Sequence, residues 1–301
     1  MTSTTVKTNK TSIRNAAASL MLLAATGMVT GEAHAYDLQA NTIYAHASDG
    51  IYAIDIDSTT ASASATKVAD AKASLSSIQD IAFDGNTMYG INRHWQLMKL
   101  EPNESEAVSV KKAESYSLQF QGLTARNAVL YGAELRSLIT LDKATGNTGA
   151  LCSGCGSYGL GVGEVVTDLA FAADGTLYAS VRFPCTSYSF LGTVSTQTGE
   201  LMILGNTGVE NVTAITVKDG EIYAMDIVGD LYTLNAFSGF STQVASAVLP
   251  GVTGMDTSPA AVVNPGDGSN PAAEGGAGGG SLSWLLLLSM ALLPLLRRRM
   301  A

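Results

Sequence analysis

The sequence predicts an all-β fold: a five-bladed β-propeller, closed by a C-terminal strand that completes the first blade. An N-terminal signal peptide and a C-terminal hydrophobic helix flank it. Three observations lead there. A tyrosine motif recurs five times at a near-constant period. Each copy sits inside the same succession of apolar runs and turns. The first copy lacks an inner strand, and one is supplied after the last copy.

The motif reads NTIYA at Asn41, NTMYG at Asn86, AVLYG at Ala128, GTLYA at Gly175 and GEIYA at Gly220. Its tyrosines, Tyr44, Tyr89, Tyr131, Tyr178 and Tyr223, are 45, 42, 47 and 45 residues apart. That period is the one expected of propeller blades. Before the tyrosine comes an apolar strand: IQDIAF at Ile78, FQGLTA at Phe120, VTDLAF at Val166 and VTAITV at Val212. Turns such as DGN at Asp84, ADG at Ala173 and KDG at Lys218 join the two, and Asp-Gly between apolar runs is a strong hairpin signal. A third strand follows, as in GIYAID at Gly50, QLMKLE at Gln96, SLITLD at Ser137, LGTVST at Leu191 and DLYTLN at Asp230. Turns of the type ATGN or QTGE lead to a fourth, edge strand. Nothing precedes the first tyrosine motif as an inner strand, but VTGMDT at Val252 has the right pattern. Pairing it beside residues 42–45 closes the ring and removes two free sheet edges. No long 3.6-residue periodicity occurs over residues 36–263.

The ends read as addresses. Lys7, Lys10 and Arg14 precede the apolar run AAASLMLLAATGMV, and AHA at Ala33 offers small residues for cleavage, so residues 1–35 are expected to be a secretory signal peptide. Residues 36–263 form the propeller domain. Residues 264–280, NPGDGSNPAAEGGAGGG, hold too little apolar surface for a core and are expected to be a linker. Residues 281–301 carry an apolar run over 282–296 and then Arg297, Arg298 and Arg299. As a helix that run is about 22 Å long at 1.5 Å per residue, short of a hydrocarbon core about 30 Å thick. The arginines are expected to stay on the cytoplasmic side.

The order of Gly278, Gly279, Gly280, Ser281, Trp284, the leucine run and the arginine cluster resembles the GlyGly-CTERM sorting signal of Gram-negative bacteria. The resemblance implies cutting near the glycines by a rhombosortase-like, rhomboid-type intramembrane protease. It also implies export by the type II secretion machinery and retention at the cell surface, from a precursor tethered in the inner membrane by its tail. The competing expectation is a permanent tail anchor of the same topology. The repeats of the body are similar, more loosely, to secreted NHL-like and WD40-like propellers with LY and TG repeats.

Chemistry is sparse. The chain carries a net charge of −9, and six of its seventeen Lys and Arg lie in the two ends, so the body is acidic and nucleic acid is not an expected partner. Asp80 and Asp168 fall at one repeat position, where the other repeats have Gly122, Ala214 and Gly254. They are the candidates for a cation or polar ligand near the central channel, the alternative being that they satisfy loop amides or water. Cys152, Cys155 and Cys185 are disulfide candidates in an exported chain. Either Cys185 pairs with one of the other two, or CSGC closes on itself. Three cysteines with His46 and His94 make a poor zinc set, and no metal or other cofactor is expected. The GLGVGE stretch at Gly159 lacks the lysine and helix of a phosphate loop. No catalytic set can be assembled. The expectation is a binding or scaffold module with a protein or glycan ligand. The enzyme alternative is a secreted carbohydrate-active hydrolase, for which no carboxylate pair can be chosen.

Overall fold

A computed structural model of the chain describes residues 38–70, 78–93, 96–100, 108–112, 120–134, 136–151, 157–161 and 163–260. These form twenty strands in five four-stranded antiparallel sheets, with no helix among them. Blade one holds β1 (Ile43–Ala47), β2 (Gly50–Asp57) and β3 (Ser62–Asp70). Blade two holds β4 (Ile78–Asp84), β5 (Thr87–Asn92), β6 (Gln96–Leu100) and β7 (Val108–Lys112). Blade three is β8 (Phe120–Arg126), β9 (Val129–Glu134), β10 (Ser137–Leu141) and β11 (Thr148–Ala150). Blade four is β12 (Val165–Phe171), β13 (Leu177–Arg182), β14 (Tyr188–Val194) and β15 (Leu201–Glu210). Blade five is β16 (Val212–Lys218), β17 (Glu221–Asp226), β18 (Leu231–Leu234) and β19 (Ser241–Ala245). The last strand, β20 (Val252–Thr257), returns to blade one and pairs with β1, matching Tyr44 to Asp256 and Ala45 to Met255. The join runs on past the ladder, where Ser258 N donates to Thr42 O and Asn41 N to Pro259 O. The sequence expectation for closure is therefore met.

The inner strands follow one another around the axis in the order β20, β4, β8, β12, β16 and back to β20. Five apolar clusters fill the five gaps between neighbouring blades. This division explains the motif. A strand buried against blades on both faces needs apolar residues on both, so β4 reads Ile-Gln-Asp-Ile-Ala-Phe-Asp rather than as a clean alternation. The tyrosine strand carries the gap-filling ring: Tyr44 is fully buried, and its hydroxyl accepts from Gln39 N at 2.6 Å. The small residue after each tyrosine leaves room for a neighbour. A Cβ at Gly132 would sit 2.9 Å from the Phe120 ring. The turn between third and fourth strands is also shared. Asp57, Asp142, Ser195 and Asn235 each accept from the amides two and three residues on, the turn chemistry of Asx and Ser side chains.

The signal peptide, the linker and the tail, with Gly278, Gly279, Gly280, Ser281, Trp284 and Arg297, Arg298 and Arg299, lie outside the described residues, as do His94, Cys152 and Cys155. Cys185 is exposed and carries a free thiol.

Candidate functional site

The five inner strands share a defect. In blades two to five the pairing register slips between Ile78 and Asp80, Phe120 and Gly122, Val166 and Asp168, and Val212 and Ala214. In β20 it slips between Val252 and Gly254. One residue is skipped each time: Gln79, Gln121, Thr167, Thr213 and Thr253. A bulge leaves its extra residue out of the ladder and re-aims its side chain. All five line a single cavity of about 380 Å³ at one end of the ring. A ring of one amide or hydroxyl per blade is thus produced by one backbone irregularity repeated five times.

A second tier comes from the tyrosine strands. The residue four places after the tyrosine is Ser48, Arg93, Arg182 or Ile227 in blades one, two, four and five, and all four line the same cavity. The blade-three counterpart, Leu135, lies outside the described residues. The threonine hydroxyls are tied down. Thr167 Oγ1 sits 3.3 Å from Ser180 O and 3.2 Å from Val212 O. Thr213 Oγ1 bridges Met225 O and Val252 O in the same way, and Thr253 Oγ1 bridges His46 O and Ile78 O. Each hydroxyl thereby joins its own blade to the next. Gln79, Gln121, Arg93 and Arg182 make no side-chain hydrogen bond or ion pair among the described residues. Their donors face the cavity uncommitted.

Asp80 and Asp168, each one residue along from a bulge, are fully buried. Asp80 accepts from Ile81 N in its own strand and from Leu123 N in the next blade. Asp168 repeats this with Leu169 N and Ile215 N, both at 2.6 Å. The two side chains also hydrogen-bond to each other across the ring. Glycine on the neighbouring blades makes the room: a Cβ at Gly254 would fall 2.0 Å from Asp80 Oδ1, and one at Gly122 would fall 2.8 Å from Asp168 Cα. Burial pushes both carboxyls well above the usual range, and for Asp80 the Asp168 charge adds to it. Two ionised carboxylates buried side by side would repel, which favours the protonated form at the pair. Asp256, two residues on from Gly254, follows the same rule on another pair of blades. It accepts from Thr257 N and from Phe83 N at 2.7 Å, and burial pushes it to about 7.

The structure therefore brings the two predicted aspartates together, at the axis and beside the cavity. Their oxygens are engaged by backbone amides and by each other. The cavity-lining residues were not singled out from the sequence, although their signal is visible: Gln or Thr stands before the aspartate position in every repeat. Among the described residues, no group of three or more His, Cys, Asp or Glu is placed to hold a metal ion.

No protein-family model matches the chain, and no curated protein matches it. Solved structures do. The Nidogen/Laminin complex matches at 12% identity, covering 73% of this chain and 98% of that chain, with a TM-score of 0.46. Regucalcin, a calcium-binding protein from Agrobacterium tumefaciens, matches at 9% identity over 69% of this chain and 70% of its own, with a TM-score of 0.40. The extracellular domain of a B. thetaiotaomicron one component system matches at 11% identity, covering 69% of this chain and 26% of that chain, with a TM-score of 0.40.

Proposed function

We propose that the chain is an exported β-propeller that acts as a binding module, and that its ligand is a small polar molecule or chain end held in the central cavity. The observation that carries this reading is the alignment of five bulged polar residues around one cavity, with unengaged amide and guanidinium donors among them. Its volume, about 380 Å³, is in the range of small-ligand sites. No Asp or Glu is among the described residues that line it. A hydrolase working through two carboxylates therefore has no acid there, which supports binding over the carbohydrate-active alternative. Titration calorimetry of the full chain against a panel of mono- and oligosaccharides and short peptides tests the reading. Binding weakened by Gln79→Leu with Gln121→Leu supports it. Binding untouched by that double variant sinks it.

The address follows from the ends. Export is read from residues 1–35, and surface retention after cutting near Gly278 to Gly280 from the tail. An intact mass of protein from its native host that includes Arg297 to Arg299 would instead mean an uncut anchor.

A further inference from the structure

The cavity is two-sided in chemistry. Blades two, three and four contribute Arg93, Gln79, Gln121 and Arg182, while blades five and one contribute Ile227, Val212 and Val252 beside their hydroxyls. Resting on the binding reading above, we propose that the cavity is an anion site, in which Arg93 and Arg182 hold the carboxylate of a small hydroxylated acid of the sugar-acid class.

The two arginines occupy one repeat position on the blades that flank blade three, and both line the cavity together with Gln121. Guanidinium forks match a planar carboxylate through paired N–H donors. Glu134, half-buried at the end of β9, has its carboxyl pKa raised by burial, which disfavours its charge, and three other acids on this side are engaged elsewhere. Asp226 Oδ1 accepts from the amides of Val228, Gly229 and Asp230. Glu164 accepts from Gly161 N, and Asp49 pairs with Lys67 at 2.6 Å. In a chain of net charge −9, an unpaired cationic wall with no acid in the lining is a local inversion of sign. Such a wall attracts an anion locally against the net negative charge of the chain. The glutamine amides carry both donors and acceptors, which suits hydroxyl groups. On the opposing side Ile227, 53% exposed, offers apolar surface to the C–H face of a ring.

The test is calorimetry on the full chain with galacturonate, galactose, inorganic sulfate and inorganic phosphate, at two salt concentrations. Galacturonate is expected to bind, more weakly at high salt, and galactose at least about tenfold less well, the size of one charge-assisted hydrogen bond. Arg93→Gln with Arg182→Gln should erase the preference without moving the melting temperature, and the lysine versions should restore part of it. Equal binding of galactose and galacturonate overturns the anion site and leaves the binding cavity standing. Sulfate or phosphate binding as tightly as galacturonate overturns the sugar-acid assignment. No binding by any of the four, with neutral ligands bound elsewhere in the wider panel, overturns this inference alone. No binding anywhere overturns both readings.

Discussion

Asp80, Asp168 and Asp256 use one device: a carboxylate takes the next amide of its own strand and the matching amide of the next blade. Each therefore staples two blades. All three are pushed upward in pKa mainly by burial, Asp256 to about 7 from an unfolded value near 3.8. The folded chain thus holds more protons than the unfolded chain between about pH 4 and 7, and stability falls as pH rises through that window. The carboxylates lowered by their hydrogen bonds, such as Asp57 and Asp142, are exposed and act only below about pH 4, with the opposite sign. Asp256 alone contributes roughly 4 kcal/mol at most, from about 1.4 kcal/mol per unit, and less because its residue is only half-buried. Thermal melts should show a Tm several degrees lower at pH 7.5 than at pH 5. Asp256→Asn should flatten part of that slope. A Tm that rises over the same interval would show these groups to be ionised in the folded state.

Among the elements, the hairpin between β8 and β9 departs from its siblings. Its turn residues, Asn127 and Ala128, both have positive φ, at 50° and 63°. The matching turn of blade five has Asp219 and Gly220 at 54° and 84°. This is the turn whose second position favours glycine, because a Cβ is strained there. Ala128→Gly should raise stability by about 0.5–1 kcal/mol, less what the freer unfolded chain takes back. Denaturant titration reads this directly, and an equal loss would mean that the Ala128 methyl packs usefully. The example also shows what the sequence displayed and what it hid. The DG turns, the tyrosine strands and the missing inner strand were legible because each is a local choice enforced by sterics or by burial in every repeat. Asp80 and Asp168 were legible as an aligned pair. Their role was not, since only the ring brings together Asp80 and Asp168, which are 88 residues apart in the chain. The bulges were hidden for the same reason. A strand reading assumes strict alternation, and a slipped register is a property of two strands together, so nothing in their own strands marks Gln79 and Thr167 as bulged.

At the scale of the whole molecule, one strand decides whether these parts form a ring. β20 supplies the inner edge of blade one, and it lies between β16 and β4. Val252 and Met255 are buried with Ile43, Ala45 and Met225, so their removal alone forfeits about 1.5–3 kcal/mol each. Thr253 ties the strand to Ile78 of blade two, and Asp256 ties it to Phe83. Removing residues 252–259 takes away these links together and bares the edge of β1. The expected cost is comparable with the whole stability of a domain, about 5–15 kcal/mol. Removing β19 instead, an outer strand whose residues are exposed or half-buried, should cost much less. The deletion of 252–259 should abolish the cooperative melt and the cavity ligand's binding together, because Thr253 and the Asp80 environment are lost with it. A peptide of residues 252–259 added in excess should recover both in proportion. A deleted chain that still melts cooperatively at nearly the parent temperature would mean that the blades stand without closure.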